Sequence, residues 1–145
     1  VQAVITQNID GLHQAAGSKN VFELHGSVHR NYCQKCGKFF DVNYVVNAKG
    51  VPYCDECGGI IKPDVVLYEE GLDSQTINGA VRAISKADML IIGGTSLVVY
   101  PAAGMIDYFK GKYLAVLNRD ATSRDKQADL CITDPIGEVL GRIRV

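Results

Sequence analysis

The sequence predicts an α/β fold: a parallel β-sheet packed with helices and interrupted by one small cysteine-rich insert. Two observations lead to this prediction. Short runs that are almost wholly apolar alternate with helical patterns, and such runs are typical of parallel strands covered on both faces. Residues 32–60 differ, because they contain four of the five cysteines, several glycines and few aliphatic residues. We interpret 32–60 as a module inserted between two parts of one α/β domain, 1–31 and 61–145.

The apolar runs define the predicted strands, and the spacing of apolar residues defines the helices. Strands are expected at 1–6, 21–24, 65–68, 89–92, 113–117 and 130–133. One helix follows Ser74, a suitable N-cap, because apolar residues recur at i, i+3, i+4 and i+7 from Ile77. A second helix is expected to begin at Pro101 and to end at Gly111, and an amphipathic turn or two covers 136–143.

Composition and charge exclude several classes of protein. With 145 residues, 47% hydrophobic and 21% charged, the chain has the makeup of a soluble folded domain and not of a disordered or collagen-like chain. A net charge of −1 argues against a general nucleic-acid-binding surface. No apolar run reaches the roughly 18 residues of a membrane helix. The sequence opens within an apolar run and without methionine, so we expect it to be a fragment.

The cysteines predict a metal site in a reducing compartment. Cys33 and Cys36 form one Cys-x-x-Cys pair, and Cys54 and Cys57 form a second. Two such knuckles, each followed by a glycine, bring four thiolates to a tetrahedral centre that suits structural zinc. Redox-active pairs are disfavoured, because there are two pairs and neither opens a helix after a strand. An odd cysteine count without a secretion signal favours the cytoplasm, and Cys131 is interpreted as a small buried side chain.

Polar residues follow four of the predicted strands. They are Gln7-Asn8-Ile9-Asp10-Gly11, His25-Gly26-Ser27, Gly93-Gly94-Thr95-Ser96 and Asn118-Arg119-Asp120. Ligands of parallel sheets bind beyond the carboxyl ends of the strands, so these residues predict a polar rim suited to a nucleotide. Histidine changes charge near neutral pH, so His25, at a strand end, is a candidate general base. The alternative is that His25 has a structural role. His13 and His29 are interpreted as surface or supporting residues.

These residues together resemble a known family. Thr6-Gln7-Asn8-Ile9-Asp10-Gly11-Leu12-His13, Glu23-Leu24-His25-Gly26-Ser27, the two Cys-x-x-Cys pairs, Lys62-Pro63-Asp64-Val65-Val66 and the segment from Gly94 to Ala103 occur in that order. The pattern resembles the sirtuins, the NAD-dependent protein deacylases. The resemblance implies a Rossmann-like parallel sheet over 1–31 and 61–145 that binds NAD, with a zinc-ribbon module at 32–60. The segment Tyr68-Glu69-Glu70-Gly71 is closer to bacterial members, since many relatives have Phe-Gly-Glu.

The resemblance also implies roles for individual residues. His25 would be the general base that deprotonates a ribose hydroxyl of NAD after nicotinamide has left. The acyl group of an acyl-lysine protein or peptide would pass to ADP-ribose. At the NAD site, Asn8 and Asp10 would line the nicotinamide pocket, with Gln7 at the ribose and Ile9 as a further cofactor-binding residue. Ile136 would touch the adenine ring. The adenosine half would be held by Gly94, Thr95, Ser96, Asn118, Arg119 and Asp120. Val65, Val66 and Tyr68 would line the acyl tunnel and pair with the peptide as a strand.

The same resemblance indicates what this sequence lacks. Sirtuins begin with a strand, a Gly-Ala-Gly-x-Ser loop around the NAD phosphates and an Asp-Phe-Arg segment, and none of these occurs here. We therefore expect a C-terminal portion that by itself binds NAD poorly and is inactive, with the remaining N-terminal segment as its partner. Two alternatives remain: a zinc-ribbon module that binds nucleic acid or protein, and a dehydrogenase. A dehydrogenase should carry a Gly-x-Gly-x-x-Gly motif, which this sequence lacks.

Overall fold

The computed structural model of the protein describes residues 1–143. The chain divides into two compact units, residues 1–78 and 79–145. The boundary falls within the helix α3 (Ser74–Lys86). This helix confirms the one predicted after Ser74, and its buried residues are Ala80 and Ile84. The N-cap of α3 is Asp73 and not Ser74, because Asp73 Oδ2 accepts a hydrogen bond of 2.7 Å from Thr76 N. Within residues 1–143, no helix combines the length and apolarity needed to cross a membrane.

The first unit contains two small sheets. β1 (Val4–Thr6) and β2 (Val21–Glu23) pair in parallel, with α1 (Leu12–Ala15) between them in the chain. The second sheet is antiparallel with strand order β4-β3-β5. Its elements are β3 (Gly26–Cys33), β4 (Phe39–Asp41) and β5 (Ile61–Val65), and α2 (Val42–Val46) follows β4. The strand expected at 65–68 is therefore placed too late, by four residues at its start and three at its end, since pairing with β3 begins at Ile61 and ends at Val65.

A bulge interrupts the pairing of β3 with β5. Ser27 lies opposite Asp64 and Asn31 lies opposite Pro63, so residues 28–30 have no partner on β5. The bulged strand turns toward the loop after β1, where Val28 N donates to Ile9 O at 3.1 Å. Asn31, only 1% exposed, returns the strand to the sheet. The bulge thus connects the antiparallel sheet to the loop that follows β1.

The insert has a small core that contains sulfur. Cys33, Phe40, Cys54 and Ile61 are buried together, with Val45 and Cys57 packed against them. A cluster of this size buries too little apolar surface to stabilise a module alone. The fold of this part of the chain therefore depends on what the cysteines bind.

The second unit is built on a parallel sheet with strand order β6-β7-β8. The strands are β6 (Met89–Gly93), β7 (Tyr113–Leu117) and β8 (Leu130–Ile132), and α4 (Ile136–Gly141) follows. These bounds confirm the strands predicted at 89–92, 113–117 and 130–133. The segment after Pro101 forms a 3₁₀ helix, Ala102–Tyr108, where a helix was expected.

Burial differs among the three parallel strands. Residues Leu114 to Leu117 of the central strand β7 are buried, as expected of a strand covered on both faces. Met89 and Ile91 of β6 are exposed. Cys131 on β8 is also exposed, so its expected burial is wrong. The reason is that β6 and β8 are the edge strands, and apolar composition does not distinguish an edge strand from a central one.

Candidate functional site

An open cavity of about 460 Å³ lies in the first unit, at the carboxyl ends of β1 and β2. Its lining comes from three segments of the chain. These are Gln7, Asn8, Ile9 and Asp10 after β1, His25 after β2, and Val65 and Val66 at the end of β5. The structure therefore brings together seven of the residues that the sequence singled out. Residues 7–10 form a mostly polar wall and Val65 and Val66 form an apolar wall, which suits a ligand with a polar and an aliphatic part.

The imidazole of His25 is held in one tautomer. Its Nδ1 lies 2.9 Å from Gln7 O. A carbonyl oxygen can only accept a hydrogen bond, so Nδ1 carries the proton and the neutral ring has its free electron pair at Nε2. The histidine is half-buried, and its backbone carbonyl accepts a hydrogen bond of 3.1 Å from Val66 N. This arrangement prepares Nε2 to accept a proton.

Gly26 allows the strands on either side of His25 to approach closely. Its φ is +77°, and a Cβ at this position would lie 1.8 Å from Asp64 O. Only glycine fits this position, because the Cβ of any other residue would overlap the carbonyl oxygen of Asp64. Gly26 therefore sets the distance between His25 and the apolar wall formed by Val65 and Val66.

The polar wall is fixed by local hydrogen bonds. Asn8 N donates to Thr6 Oγ1 at 3.1 Å, and Leu12 N donates to Asp10 Oδ1 at 3.0 Å. The carbonyl of Asp10 accepts from His29 Nε2 at 3.0 Å. Both ends of the loop after β1 are thus tied to neighbouring groups, and His29 has the supporting position that the sequence predicted.

The second unit holds the other predicted nucleotide residues at the carboxyl edge of its sheet. Gly94, at φ +61°, donates its N–H to Leu117 O at 3.2 Å. A Cβ at Gly93 would lie 2.3 Å from Ile136 Cδ1, so Ile136 contacts the end of β6. Asn118 N donates to Ile132 O at 3.0 Å, which joins the ends of β7 and β8.

The same edge carries hydroxyl and turn residues. Leu97 N donates to Thr95 Oγ1 at 3.3 Å, and Asn118 Nδ2 donates to Asp120 O at 2.8 Å. One turn, Asn118 to Asp120, follows β7. The segment Gly94 to Ser96 follows β6 in the same way. Because β6 and β7 are parallel and adjacent, both groups lie at one end of the sheet.

Tyr68 does not contribute to the cavity in the first unit, since its side chain is fully exposed. The loop that carries it is held by Glu70, whose Oε2 accepts from Lys62 Nζ at 3.1 Å and from Leu67 N at 2.9 Å. These two donors hold the pKa of Glu70 below its usual range, the backbone N–H more than the lysine. Glu69 has φ +72°, a conformation that is unfavourable for a residue other than glycine.

The four cysteines of the insert form one cluster. The Sγ atoms of Cys33, Cys36, Cys54 and Cys57 all lie within 4.8 Å of one another. Cys33 and Cys57 are 3.4 Å apart, and Cys36 and Cys54 are 3.7 Å apart. Tetrahedral zinc with Zn–S bonds of about 2.3 Å separates its sulfurs by about 3.8 Å, so the cluster fits this ion.

The backbone around the cluster leaves room for the sulfurs. Gly37 and Gly58, the glycines after the two knuckles, have φ of +75° and +68°. A Cβ at Gly59 would lie 2.8 Å from Cys33 Sγ, so only glycine leaves this sulfur in place. These positions confirm that each knuckle needs a glycine after it.

Proton sharing among the thiols also favours a cation. Backbone N–H groups, that of Cys36 foremost, lower the pKa of Cys33 to about 6. The pKa of Cys36 rises to about 12, because the thiols of Cys57 and Cys33 outweigh the backbone N–H of Lys38 that lowers it. Four thiolates this close repel one another, so a bound cation would stabilise their charged form. Binding of zinc to all four sulfurs would therefore release protons.

A charged cluster that the sequence did not predict joins β2, β3 and β5. Arg30 NH1 lies 2.7 Å from Glu23 Oε2, and Arg30 Nε lies 2.8 Å from Asp64 Oδ2. The side chain of Glu23 is only 7% exposed. An acidic residue at the end of an apolar strand was the available signal, because a buried carboxylate needs a partner.

Comparisons with known proteins agree with this geometry. Residues 1–101 match the model of the Sir2 family. The chain is 65% identical to the NAD-dependent protein deacetylases of Clostridium acetobutylicum, over 97% of its length, and of Clostridium perfringens, over 99%. It spans 58% and 59% of the lengths of these two relatives.

Solved structures give the same result. A crystal structure of Sir2 with the inhibitor EX-527, 2′-O-acetyl-ADP-ribose and a deacetylated p53 peptide matches with a TM-score of 0.89 and 42% identity, covering 98% of this chain and 63% of the other. A complex of Sir2 with p53 peptide and NAD⁺ matches with a TM-score of 0.89 and 40% identity, over 98% and 61%. The matched family model covers both the cavity around His25 and the cysteine cluster, and with it the chain is placed among the members of the Sir2 family.

Proposed function

We propose that this protein is an NAD-dependent protein-lysine deacylase, which transfers an acyl group from lysine to ADP-ribose and releases nicotinamide. The observation that carries the proposal is the tautomer of His25: the hydrogen bond from Nδ1 to Gln7 O leaves Nε2 free to take a proton within a cavity. A general base held in this way accelerates proton transfer by about 10²- to 10⁴-fold. When bound, NAD supplies the ribose to which the acyl group passes.

Each unit carries its own set of residues that we propose for NAD. Asn8, Ile9 and Asp10 would bind the nicotinamide part, and Gln7 would lie at the ribose. Backbone N–H groups and hydroxyls at the carboxyl edge of the second sheet suit adenosine, and the apolar Ile136 suits the adenine ring. The residues proposed for that half are Gly94, Thr95, Ser96, Asn118, Arg119, Asp120 and Ile136.

The substrate would bind beside β5. This strand lies at the edge of its sheet, so an extended peptide could add to it by backbone pairing. Val65 and Val66 form the apolar wall of the cavity, where the aliphatic part of an acyl-lysine would lie next to His25. Tyr68, on the exposed loop after β5, would contact the peptide or the acyl chain outside the cavity.

We further propose that residues 32–60 form a zinc-ribbon module held by Cys33, Cys36, Cys54 and Cys57, inserted between the two parts, 1–31 and 61–145, of one Rossmann-like NAD-binding domain. Four thiolates leave zinc no open position, so its role would be structural. Reduced thiols suit a cytoplasmic protein. Lys38 in the module is paired with Asp55 and Glu56 at 2.7 and 2.8 Å, which disfavours binding of nucleic acid here.

The test measures nicotinamide release from NAD with an acetyl-lysine peptide, using the full-length protein and these 145 residues alone. The full-length protein should be active, and His25→Ala should lose about 10²- to 10⁴-fold in turnover while it still binds NAD and zinc. Lys49→Ala, an exposed change in the insert, is the matched control and should retain full activity. The 145 residues alone should be inactive. No deacetylation by the full-length protein, or full activity of His25→Ala, would refute the proposal.

A further inference from the structure

We propose that the β3 bulge, residues 28–30, is a positioning element in which His29 orients the polar wall of the cavity and Arg30 holds His25 against the apolar wall. The inference rests on the proposed function, since the two walls are assigned there to NAD and to the acyl-lysine peptide. Neither His29 nor Arg30 lines the cavity. Both would act through the residues that they contact.

The bulge interrupts the pairing of β3 with β5. Before it, Gly26 and Ser27 pair with Val65 and Asp64; after it, Asn31 pairs with Pro63. The three residues between them lack partners on β5 and bond elsewhere. A bulge of this kind redirects side chains away from the regular alternation of a strand, and bulges are common beside active sites.

His29 contacts the polar wall. Its Nε2 lies 3.0 Å from Asp10 O, and since the carbonyl accepts, Nε2 carries the proton. The ring also packs on the backbone, because a Cβ at Gly11 would lie 2.8 Å from His29 Cδ2. Beside it, Val28 N donates to Ile9 O at 3.1 Å. The bulge therefore holds the backbone of the polar wall at two points, the carbonyls of Ile9 and Asp10.

Arg30 contacts the strands that carry His25 and the apolar wall. It forms ion pairs with Glu23, two residues before His25, and with Asp64, one residue before Val65. One guanidinium thus holds together the strand that delivers the base and the strand that forms the apolar wall. Without Arg30, the carboxylate of Glu23 would be left nearly buried and unpaired, with a second carboxylate nearby. The two strands would then separate at His25.

The two contacts predict separable kinetic effects. Loss of the His29 contact should loosen the wall assigned to nicotinamide and leave the peptide edge unchanged. Loss of the Arg30 contacts should displace Val65 and Val66 from His25 and leave the wall at 7–10 unchanged. A residue that only stabilised the fold would shift both substrates together.

The experiment determines kcat and both KM values of the full-length protein from initial rates with NAD and acetyl-lysine peptide varied. His29→Ala should raise the KM for NAD about tenfold and weaken inhibition by nicotinamide, with the peptide KM within about twofold. His29→Gln, whose Nε2 can donate to the same carbonyl, should restore both values. Arg30→Ala should raise the peptide KM about tenfold, with the NAD KM within about twofold.

Two further variants guard against misfolding. Asp64→Asn removes one of the two ion pairs at a side chain that is 45% exposed, so it should fold and raise the peptide KM in the same direction by a smaller factor. Adding Glu23→Gln to Arg30→Ala removes the unpaired carboxylate and should recover part of the loss. Zinc content and the thermal midpoint report folding in every variant, and Lys49→Ala is the control.

The outcomes separate this inference from the proposed function. An active wild-type protein whose His29 and Arg30 variants shift both KM values together, or neither, would overturn the positioning roles. If Arg30→Ala does not fold, an unchanged peptide KM in Asp64→Asn would overturn the role of Arg30. Wild-type protein without deacetylase activity would refute the proposed function instead, and calorimetry of NAD binding by His29→Ala and His29→Gln would then decide the role of His29.

Discussion

Replacing Gly26 by alanine is expected to destabilise the first unit far more than the same change at Gly17. Both glycines have positive φ, +77° and +88°. A Cβ at Gly17 would meet nothing within 4 Å, whereas a Cβ at Gly26 would lie 1.8 Å from Asp64 O and 2.8 Å from Asp64 C. The comparison separates the cost of the backbone conformation from the cost of the close approach between β3 and β5.

The magnitudes follow from these contacts. Positive φ costs a residue with a side chain about 1–2 kcal/mol, and this cost is common to both variants, as is the effect of alanine on the unfolded chain. At Gly26 the two strands must also move apart by more than an ångström. That movement breaks the bond from Val66 N to His25 O and the neighbouring pairing of Gly26 with Val65. Each hydrogen bond contributes about 1 kcal/mol, so the free energy of unfolding should fall by about 2–3 kcal/mol more in Gly26→Ala than in Gly17→Ala.

Urea unfolding of the full-length variants, followed by far-UV circular dichroism, measures this difference. Gly26→Ala should also lose deacetylase activity, since the separation occurs at His25, whereas Gly17→Ala should keep it. Equal free energies of unfolding for the two variants would show that the close approach to Asp64 contributes nothing. Full activity in Gly26→Ala would refute the link between this approach and the placement of the base.

Three further predictions concern other parts of the chain. Cys33→Ser should reduce zinc, measured by elemental analysis, from about one ion per chain to almost none, while Cys131→Ser keeps it. Asp73→Ala should lower the thermal midpoint by about 2–4 °C at pH 7 by removing the N-cap of α3, and Ser74→Ala should not. Since hydrogen bonds from Thr76, its backbone N–H foremost, lower the pKa of Asp73, the cap stabilises fully above the usual carboxyl pKa. Its contribution disappears as the pH falls through the lowered value, so the wild-type and alanine midpoints should converge in acid. Glu69→Gly should raise the free energy of unfolding by about 1 kcal/mol, because glycine accepts positive φ; a decrease in urea unfolding would contradict the strain at this loop.

The pattern of apolar residues along the sequence was sufficient to predict an element where those residues are the ones that the fold buries. The apolar runs of β6 and β7 and the helical spacing in α3 predicted those elements within a few residues, and the cysteine spacing predicted the cluster. Pattern failed for β3, whose run from Gly26 to Cys33 is mostly polar. That strand forms because it has partners on two sides, and tertiary pairing overrides a weak local preference.

The candidate site was predictable to the extent that it lies at strand ends. His25 and the loop after β1 were found in this way, because polar residues after apolar strands mark the edge of a sheet. The Arg30 ion pairs were not, because they join residues that are seven and thirty-four positions apart. Contacts of that kind depend on how β2, β3 and β5 come together, which a single sequence does not specify.

The arrangement of the four sulfurs has a consequence for oxidation. Each close pair, Cys33 with Cys57 and Cys36 with Cys54, joins one knuckle to the other. If the cluster loses its metal in air, disulfides should therefore form between the knuckles and not within a Cys-x-x-Cys pair. Peptide mapping would show cross-linked fragments from both halves of the insert. Such cross-links would fix the insert in a metal-free form that takes up zinc again only after a thiol reductant is added.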